Sequence, residues 1–392
     1  MSDWIASLDR TSAGLVRGTV SNAVAVLQHD PTWGADRLWY DAFLDRVLIA
    51  ESPAREWSDE HDTALTVYMQ EAIGIRTIPE AIVASAVGYV ARQRRRHCIC
   101  DWLDTLTWDD EPRLDTAFVR YWGAEVTPQQ PKEYIRAASR NFFLSLVARV
   151  RRPGCKADCM PVFEGLTGIG KERALTAIGA PWYMVSQYPV SSIDFFRSLP
   201  GKWIVEIGEM DSFSRAEKER IKLAVSTPED RYRIPNARRA KDVKRQCIFA
   251  GTTNRDDWGN DDTGLRRFWP VRCGTIDVDA LHRDREQLFA EASARYAEGC
   301  PWWEMPLPET RAVQADRQSD DVWTVTVLDW VYGKPDTTVA EVLREALKIR
   351  DAEMTRLHQL RIGSILALAG WTKRMKRLSG RFQKTWFPPE TD

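Results

Sequence analysis

The stretch Phe163-Glu-Gly-Leu-Thr-Gly-Ile-Gly-Lys171-Glu172 decides the fold. Gly165, Gly170 and Lys171 stand at the spacing of a phosphate-binding loop, G-x-x-x-x-G-K-[ST]. Gly165, Gly168 and Gly170, with Thr167 in the same turn, let backbone N–H groups point inward around phosphate oxygens. The helix expected from Lys171 aims the positive end of its dipole at the same anion, and Lys171 adds a charge that reaches the β- and γ-phosphates. The expected ligands are ATP and Mg2+. The last position departs from the pattern. A Ser or Thr hydroxyl would hold the metal there, and this chain has Glu172. A carboxylate suits magnesium, yet a negative charge about 4 Å from a triphosphate oxygen costs roughly 4 kcal/mol at an effective dielectric near 20. A metal between the two offsets that cost, and Arg173 can pair with the acid. Hydrolysis therefore hinges on Glu172.

The surrounding texture supports a nucleotide fold. From about 155 to 275, short apolar runs alternate with helical patterns, which predicts a mostly parallel sheet in an α/β domain. Met160–Phe163 reads as the strand entering the glycine loop, Lys202–Ile207 as a second buried strand, and Arg245–Ala250 as a third. The second strand ends in Glu206, Glu209 and Asp211. Acids at a strand end can meet a metal ion and an attacking water. Glu206, closing the apolar run, is the metal-side candidate, Glu209 the water-polarising base, and Asp211 a cap for the next helix. Asn254 follows the third strand, where an amide can bond both the γ-phosphate and the lytic water. Arg266 and Arg267, braced by Phe268, Trp269 and Pro270, are candidates for an arginine offered to a neighbouring subunit.

The chain has 392 residues, 44% hydrophobic and 28% charged, with 17 tryptophans read as core and interface anchors. A net charge of −1 does not by itself indicate nucleic acid, so local clusters must carry that case. Seven scattered cysteines fit a reduced, cytoplasmic protein better than a disulfide scaffold. Cys155 and Cys159 lack zinc-site spacing, and no apolar run is long enough to span a membrane.

The ordered set Phe163–Lys171, Lys202–Asp211, Asp230–Arg239, Gln246–Asn254 and Thr263–Pro270 resembles the virulence-associated protein E family. Upstream, His97 through Leu103, Trp108-Asp-Asp-Glu-Pro-Arg-Leu114 and Arg152-Pro-Gly-Cys-Lys156 match as well. The likeness covers roughly residues 80–275. It implies a helicase-like ATPase of phages and other mobile elements, related to superfamily 3 helicases, with an AAA+-type core. It also implies assembly into a ring, expected to be a hexamer, and movement on single-stranded DNA. The family's Ser or Thr at the position of Glu172 is missing.

Two basic regions are candidate DNA contacts. Arg231–Arg245 holds seven basic residues and one acid, Asp242. Superfamily 3 helicases have a channel hairpin at this place, which makes Arg238, Arg239 and Lys241 the tip candidates beside the Pro235-Asn236 turn. Cations with interleaved aromatics suit sequence-tolerant single-strand binding. The tail reads as three helices, at 322–331, 338–347 and 355–369, followed by a basic hairpin with a Ser379-Gly380 turn. That is a winged-helix pattern whose Lys373, Arg374, Lys376, Arg377 and Arg381 can contact phosphates.

The expected organisation is a helical region over 1–150, a P-loop ATPase core over 151–300, a linker over 301–319 and a winged-helix-like domain over 320–392. The expected function is an ATP-dependent DNA helicase or translocase acting at a replication fork in a bacterial host, with primer synthesis left to a separate primase. Two alternatives stay open: a catalytically impaired DNA-binding or interaction protein, and a defence-related ATPase of the same fold.

Overall fold

The computed structural model describes residues 3–34, 37–233, 240–256, 258, 267–316, 323–378 and 381–389. The chain divides into two compact units. One comprises residues 1–256 and 266–314, the other 257–265 and 315–392.

The first unit begins with a region expected to be mostly helical. Helices do form over Val20–His29, Asp59–Glu71 and Glu80–Gln93. The structure adds a small sheet that the sequence pattern does not show: β1 (Leu38–Asp41), β2 (Arg46–Ile49), β3 (Arg55–Glu56) and β4 (Arg95–Arg96), in the order β3-β2-β1-β4. These strands are too short for alternation to show. β1 and β2 form a hairpin whose turn holds Asp45 at φ +59°.

The long helix Lys132–Arg151 is buried on nearly every side. Beside it lies the central sheet: β5 (Met160–Glu164), β6 (Tyr183–Val185), β7 (Ile204–Ile207), β10 (Ile248–Thr253) and β11 (Phe268–Arg272). Between β7 and β10 the chain makes a two-stranded antiparallel ribbon, β8 (Glu229–Tyr232) and β9 (Lys241–Lys244). The sheet order is β11-β5-β10-β7-β6, and every pairing is parallel. A mostly parallel sheet is thus what forms. β11 falls on the segment whose sequence interest lay in its arginines alone. Its Pro270 is tolerated because β11 is an edge strand that, among the described strands, pairs with β5 alone.

Tryptophan anchors this core. The Trp203 ring stacks on Phe289 at 4.5 Å, and its Nε1 donates to Leu146 O at 3.0 Å. Trp122 stacks on Phe163 at 5.3 Å, just before the glycine loop. Glu291, on the helix Val278–Ala297, accepts from the backbone N–H of Arg113 at 2.6 Å and of Leu114 at 2.9 Å. That bond fastens the Trp108–Leu114 segment, which Arg113 braces further by pairing with Asp109 at 2.7 Å.

The ribbon is rooted by a buried ion pair. Arg245 Nε donates to Asp230 Oδ2 at 3.0 Å, and Nη2 donates to Oδ1 of the same carboxylate. Arg245 Nη1 donates to Ala224 O, and both charged side chains are almost fully buried.

The second unit has helices at Thr324–Val331, Val339–Glu341 continuing as a wider turn over Val342–Ala346, and Arg356–Leu368. A hairpin of β12 (Thr372–Leu378) and β13 (Arg381–Phe387) follows. Val327, Val331, Val342, Leu343, Ile362 and Trp386 build its core. This is the three-helix-and-hairpin order expected from the sequence; the Ser379-Gly380 turn lies outside the described residues. No helix among the described residues is long and apolar enough to cross a membrane.

Arg245→Met should lower stability by about 3–5 kcal/mol, because it strands the Asp230 carboxylate in the interior. Adding Asp230→Leu should recover much of that loss. Denaturant titrations of the single and double variants measure both effects.

Candidate functional site

In a parallel α/β sheet, ligands gather at the carboxyl ends of the strands. β10 lies between β5 and β7, so three of the sequence's motifs end side by side there: the glycine loop after β5, the acids after β7 and Asn254 after β10.

Within the loop, Gly168 (φ +85°) and Gly170 (φ +102°) take left-handed backbone that a side chain would disfavour. Gly170 is the N-cap of the helix Lys171–Gly179, so the loop runs directly into a helix N-terminus. Lys171 is buried. Its Nζ donates to the carbonyls of Gly165 and Leu166, the latter at 2.9 Å, and to Asn254 Oδ1 at 3.2 Å. Burial pushes the Lys171 ammonium below its ordinary pKa, while Cys273, Glu206 and Asp211 push back. Thr167 and Glu172 are exposed, Glu172 in the first turn of the helix.

Glu206 is buried. Oε1 accepts from Thr252 Oγ1 at 2.6 Å, and Oε2 accepts from the Tyr183 hydroxyl. Burial lifts its pKa above the usual carboxylate range and the charge of Glu172 adds to the lift, against the two hydroxyl donors and Lys171. Glu209 is exposed and held at φ +53°.

Asp211, the cap expected from the sequence, does not cap the helix. The cap is Ser214 instead, which forms a capping box with Glu217 at the start of Arg215–Ser226. Asp211 turns toward the site, where Thr253 Oγ1 donates to its Oδ1 at 2.7 Å. Burial opposes ionisation, but the Thr253 hydroxyl and the backbone N–H groups of Asp211 and Asn254 outweigh it and hold the carboxyl below its ordinary range. The sequence signal lies in Ser214-x-x-Glu217, a capping-box pattern that by itself assigns the cap. Arg272 is a second residue absent from the sequence-based candidates. It lies opposite Glu164 at the loop end of β11, with Glu164 Oε2 at 3.9 Å and Asp256 Oδ2 at 2.9 Å.

Among the described residues no group of three or more His, Cys, Asp or Glu side chains is arranged to hold a metal ion. Magnesium commonly takes one or two carboxylates and completes its shell with phosphate and water. Glu206 and Asp211, both acting electrostatically on Lys171, fit that smaller donor set.

Arg267 lies elsewhere. Arg266 is outside the described residues. Arg267 precedes Phe268, which pairs with Met160 at the opposite end of β5 from the loop, a strand about 13 Å long at the usual rise. Of the DNA candidates, Arg238, Arg239 and the Pro235-Asn236 turn lie outside the described residues. Lys241 opens β9, where its Nζ pairs with Asp45. Lys373 and Arg374 are exposed on β12 with their charges over Trp386 at 5.6 Å and Phe387 at 5.9 Å, and Lys376 pairs with Asp336. Arg377 and Arg381 lie on β12 and β13, their side chains outside those described.

The carboxyl ends of this parallel sheet carry a glycine loop, a buried lysine and two carboxylates, and the family match spans all of them. The chain belongs to the virulence-associated protein E-like domain family, which matches residues 103–322. No curated protein matches the sequence. Solved structures of the NrS-1 C-terminal region are similar to this chain. The apo structure of its residues 305–718 is 13% identical, covering 90% of this chain and 95% of that one, at a TM-score of 0.48. Its A-form apo structure is 13% identical over 90% and 96% at a TM-score of 0.49. A further A-form structure is 14% identical over 90% and 96% at 0.47.

Glu206→Gln should stabilise the fold at neutral and alkaline pH, with the gain vanishing in acid. A carboxyl whose pKa is raised on folding resists ionisation, so the native state is penalised only once pH exceeds the unfolded pKa. Thermal melts of both proteins from pH 4 to 8 should diverge as pH rises.

Proposed function

We propose that the chain is an ATP-dependent motor on single-stranded DNA, serving replication of a phage or other mobile element. One observation carries the reading: the buried Lys171 ammonium joins the glycine-loop carbonyls to Asn254 at the carboxyl end of a parallel sheet. In the free protein those oxygens satisfy the cation; phosphate oxygens would take their place.

In this reading Gly165, Thr167, Gly168 and Gly170 cradle the phosphates and Lys171 bridges the β- and γ-groups. Asn254 positions the attacking water, and the exposed Glu209 accepts its proton. When bound, Mg2+ would neutralise charge developing on the phosphates, and Glu206, Asp211 and Glu172 are the residues that would hold it. Arg267 lies too far along its strand to reach its own loop, so it would serve a triphosphate held by the next subunit. That requirement supports a ring, hexameric by resemblance. The basic ribbon and the winged-helix-like second unit supply the DNA contacts.

Glu172 supports a second reading, in which the fold persists with turnover weakened: it adds charge against Glu206 where a neutral hydroxyl is usual. Purified protein should hydrolyse ATP with stimulation by single-stranded DNA, and Lys171→Ala should lower that rate about 100-fold or more. Absence of hydrolysis in the wild type at every magnesium and manganese concentration would remove the motor reading. Glu172→Ser separates the two: a large gain marks the native loop as impaired, and a loss marks Glu172 as adapted to its metal.

A further inference from the structure

A second concave site lies at the amino-terminal end of the central sheet, away from the glycine loop. It is a cavity of about 620 Å³, a volume on the scale of small-ligand sites. Three tethers fix its walls. Gly201 N–H, ahead of β7, donates to Phe43 O at 3.0 Å, and Gln246 Nε2, ahead of β10, donates to Ala42 O at 2.9 Å. His97 Nε2 meets Gln246 Oε1 at 2.8 Å. The β1–β2 turn is thereby held against the roots of β7, β9 and β10.

The unpaired charges of the lining are mostly cationic. Arg95, Arg152 and Lys244 border the cavity, and among the described residues none of them has a carboxylate partner; Arg152 lies over the Trp302 ring at 5.5 Å. Of the other described lining charges, all but Glu229 are ion-paired. Arg245 pairs with Asp230, Arg151 with Asp104, and Asp242 with Arg231 at 3.5 Å, while Glu229 stands opposite Lys244 in the β8–β9 ladder. Tyr40 and Phe196 add half-exposed rings.

Asp45 stands out in this setting. Both of its carboxylate oxygens accept from Lys241 Nζ, and Oδ1 also accepts from the Tyr40 hydroxyl. An anion with two equivalent oxygens, gripped by an ammonium and a phenol in a cation-lined cavity, has the donor pattern of a phosphodiester's two non-bridging oxygens.

Resting on the single-stranded DNA reading above, we propose that this cavity docks the phosphodiester backbone of a single strand, and that Asp45 occupies Lys241 in the free protein as a built-in competitor. An incoming phosphate takes Lys241 from Asp45, the free cations Arg95, Arg152 and Lys244 hold the neighbouring phosphates, and Tyr40 and Phe196 offer stacking faces for bases. Releasing Lys241 frees the ribbon from the β1–β2 turn, so strand binding and ribbon position become one equilibrium.

The test is fluorescence anisotropy of a labelled oligothymidylate with the full chain over a series of KCl concentrations. Arg95→Glu with Lys244→Glu, both exposed positions, should weaken binding at least about tenfold and flatten the salt dependence by roughly 0.7 in slope for each phosphate no longer neutralised. Asp45→Asn should strengthen binding about threefold or more, and Asp45→Glu should leave it near wild type. Wild-type affinity and salt slope in the double variant, or weaker binding in Asp45→Asn with an unaltered melting curve, overturns the proposal while leaving the motor reading intact. If the wild type itself fails to bind the strand, both readings fall.

Discussion

The interposition of β10 between β5 and β7 is the constraint on which the site depends. Parallel strands send all their carboxyl ends to one edge, but only neighbours bring those ends within side-chain reach. Because β10 pairs with both partners, Asn254 arrives beside Lys171, while Thr252 and Thr253 hand their hydroxyls to Glu206 and Asp211. Both threonine hydroxyls favour the charged carboxylate, yet the two acids shift in opposite directions: burial lifts Glu206 above the ordinary range, while hydrogen bonds hold Asp211 below it.

The same sheet divides labour between its two ends. The carboxyl end gathers the glycine loop, the Lys171 ammonium, Asn254 and two carboxylates. The amino end gathers the β1–β2 turn, the ribbon and a group of cations. Trp203, Phe289, Trp122 and Phe163 pack between the sheet and its covering helices. A buried ion pair would be a poor source of stability for such a core. Arg245 and Asp230 are better understood as fixing where the ribbon leaves the sheet.

Much of this is legible in the sequence, for physical reasons that differ by element. The glycine loop is readable because backbone conformation restricts residue type. β7 and β10 are readable because strands buried on both faces become apolar runs. β6 and β11 are not: the first is three half-exposed residues, and the second carries a proline that only its edge position excuses. Asp211 is easily misassigned because three acids in six positions look alike until the capping box at Ser214 is given its due. The meeting of Lys241 with Asp45 spans 196 positions and leaves no local trace. Sequence spacing records what a backbone must do nearby, and it is silent about which distant surfaces the fold will bring together.

One continuous strand of chain links the two ends of the molecule's chemistry. Lys241, gripped by Asp45, begins β9; only Arg245, Gln246 and Cys247 intervene before β10, and β10 runs straight to Asn254. Arg245 is clamped through its side chain to Asp230 and through its carbonyl to the N–H of Gly154 at 2.9 Å. In mechanical terms this segment is a lever, with a handle in the cation-lined cavity, Asn254 beside Lys171 at its far end and a buried guanidinium as its fulcrum. The stiffness of that one joint sets how much of a tug on the handle is delivered to the amide of Asn254, and how much is dissipated as local bending.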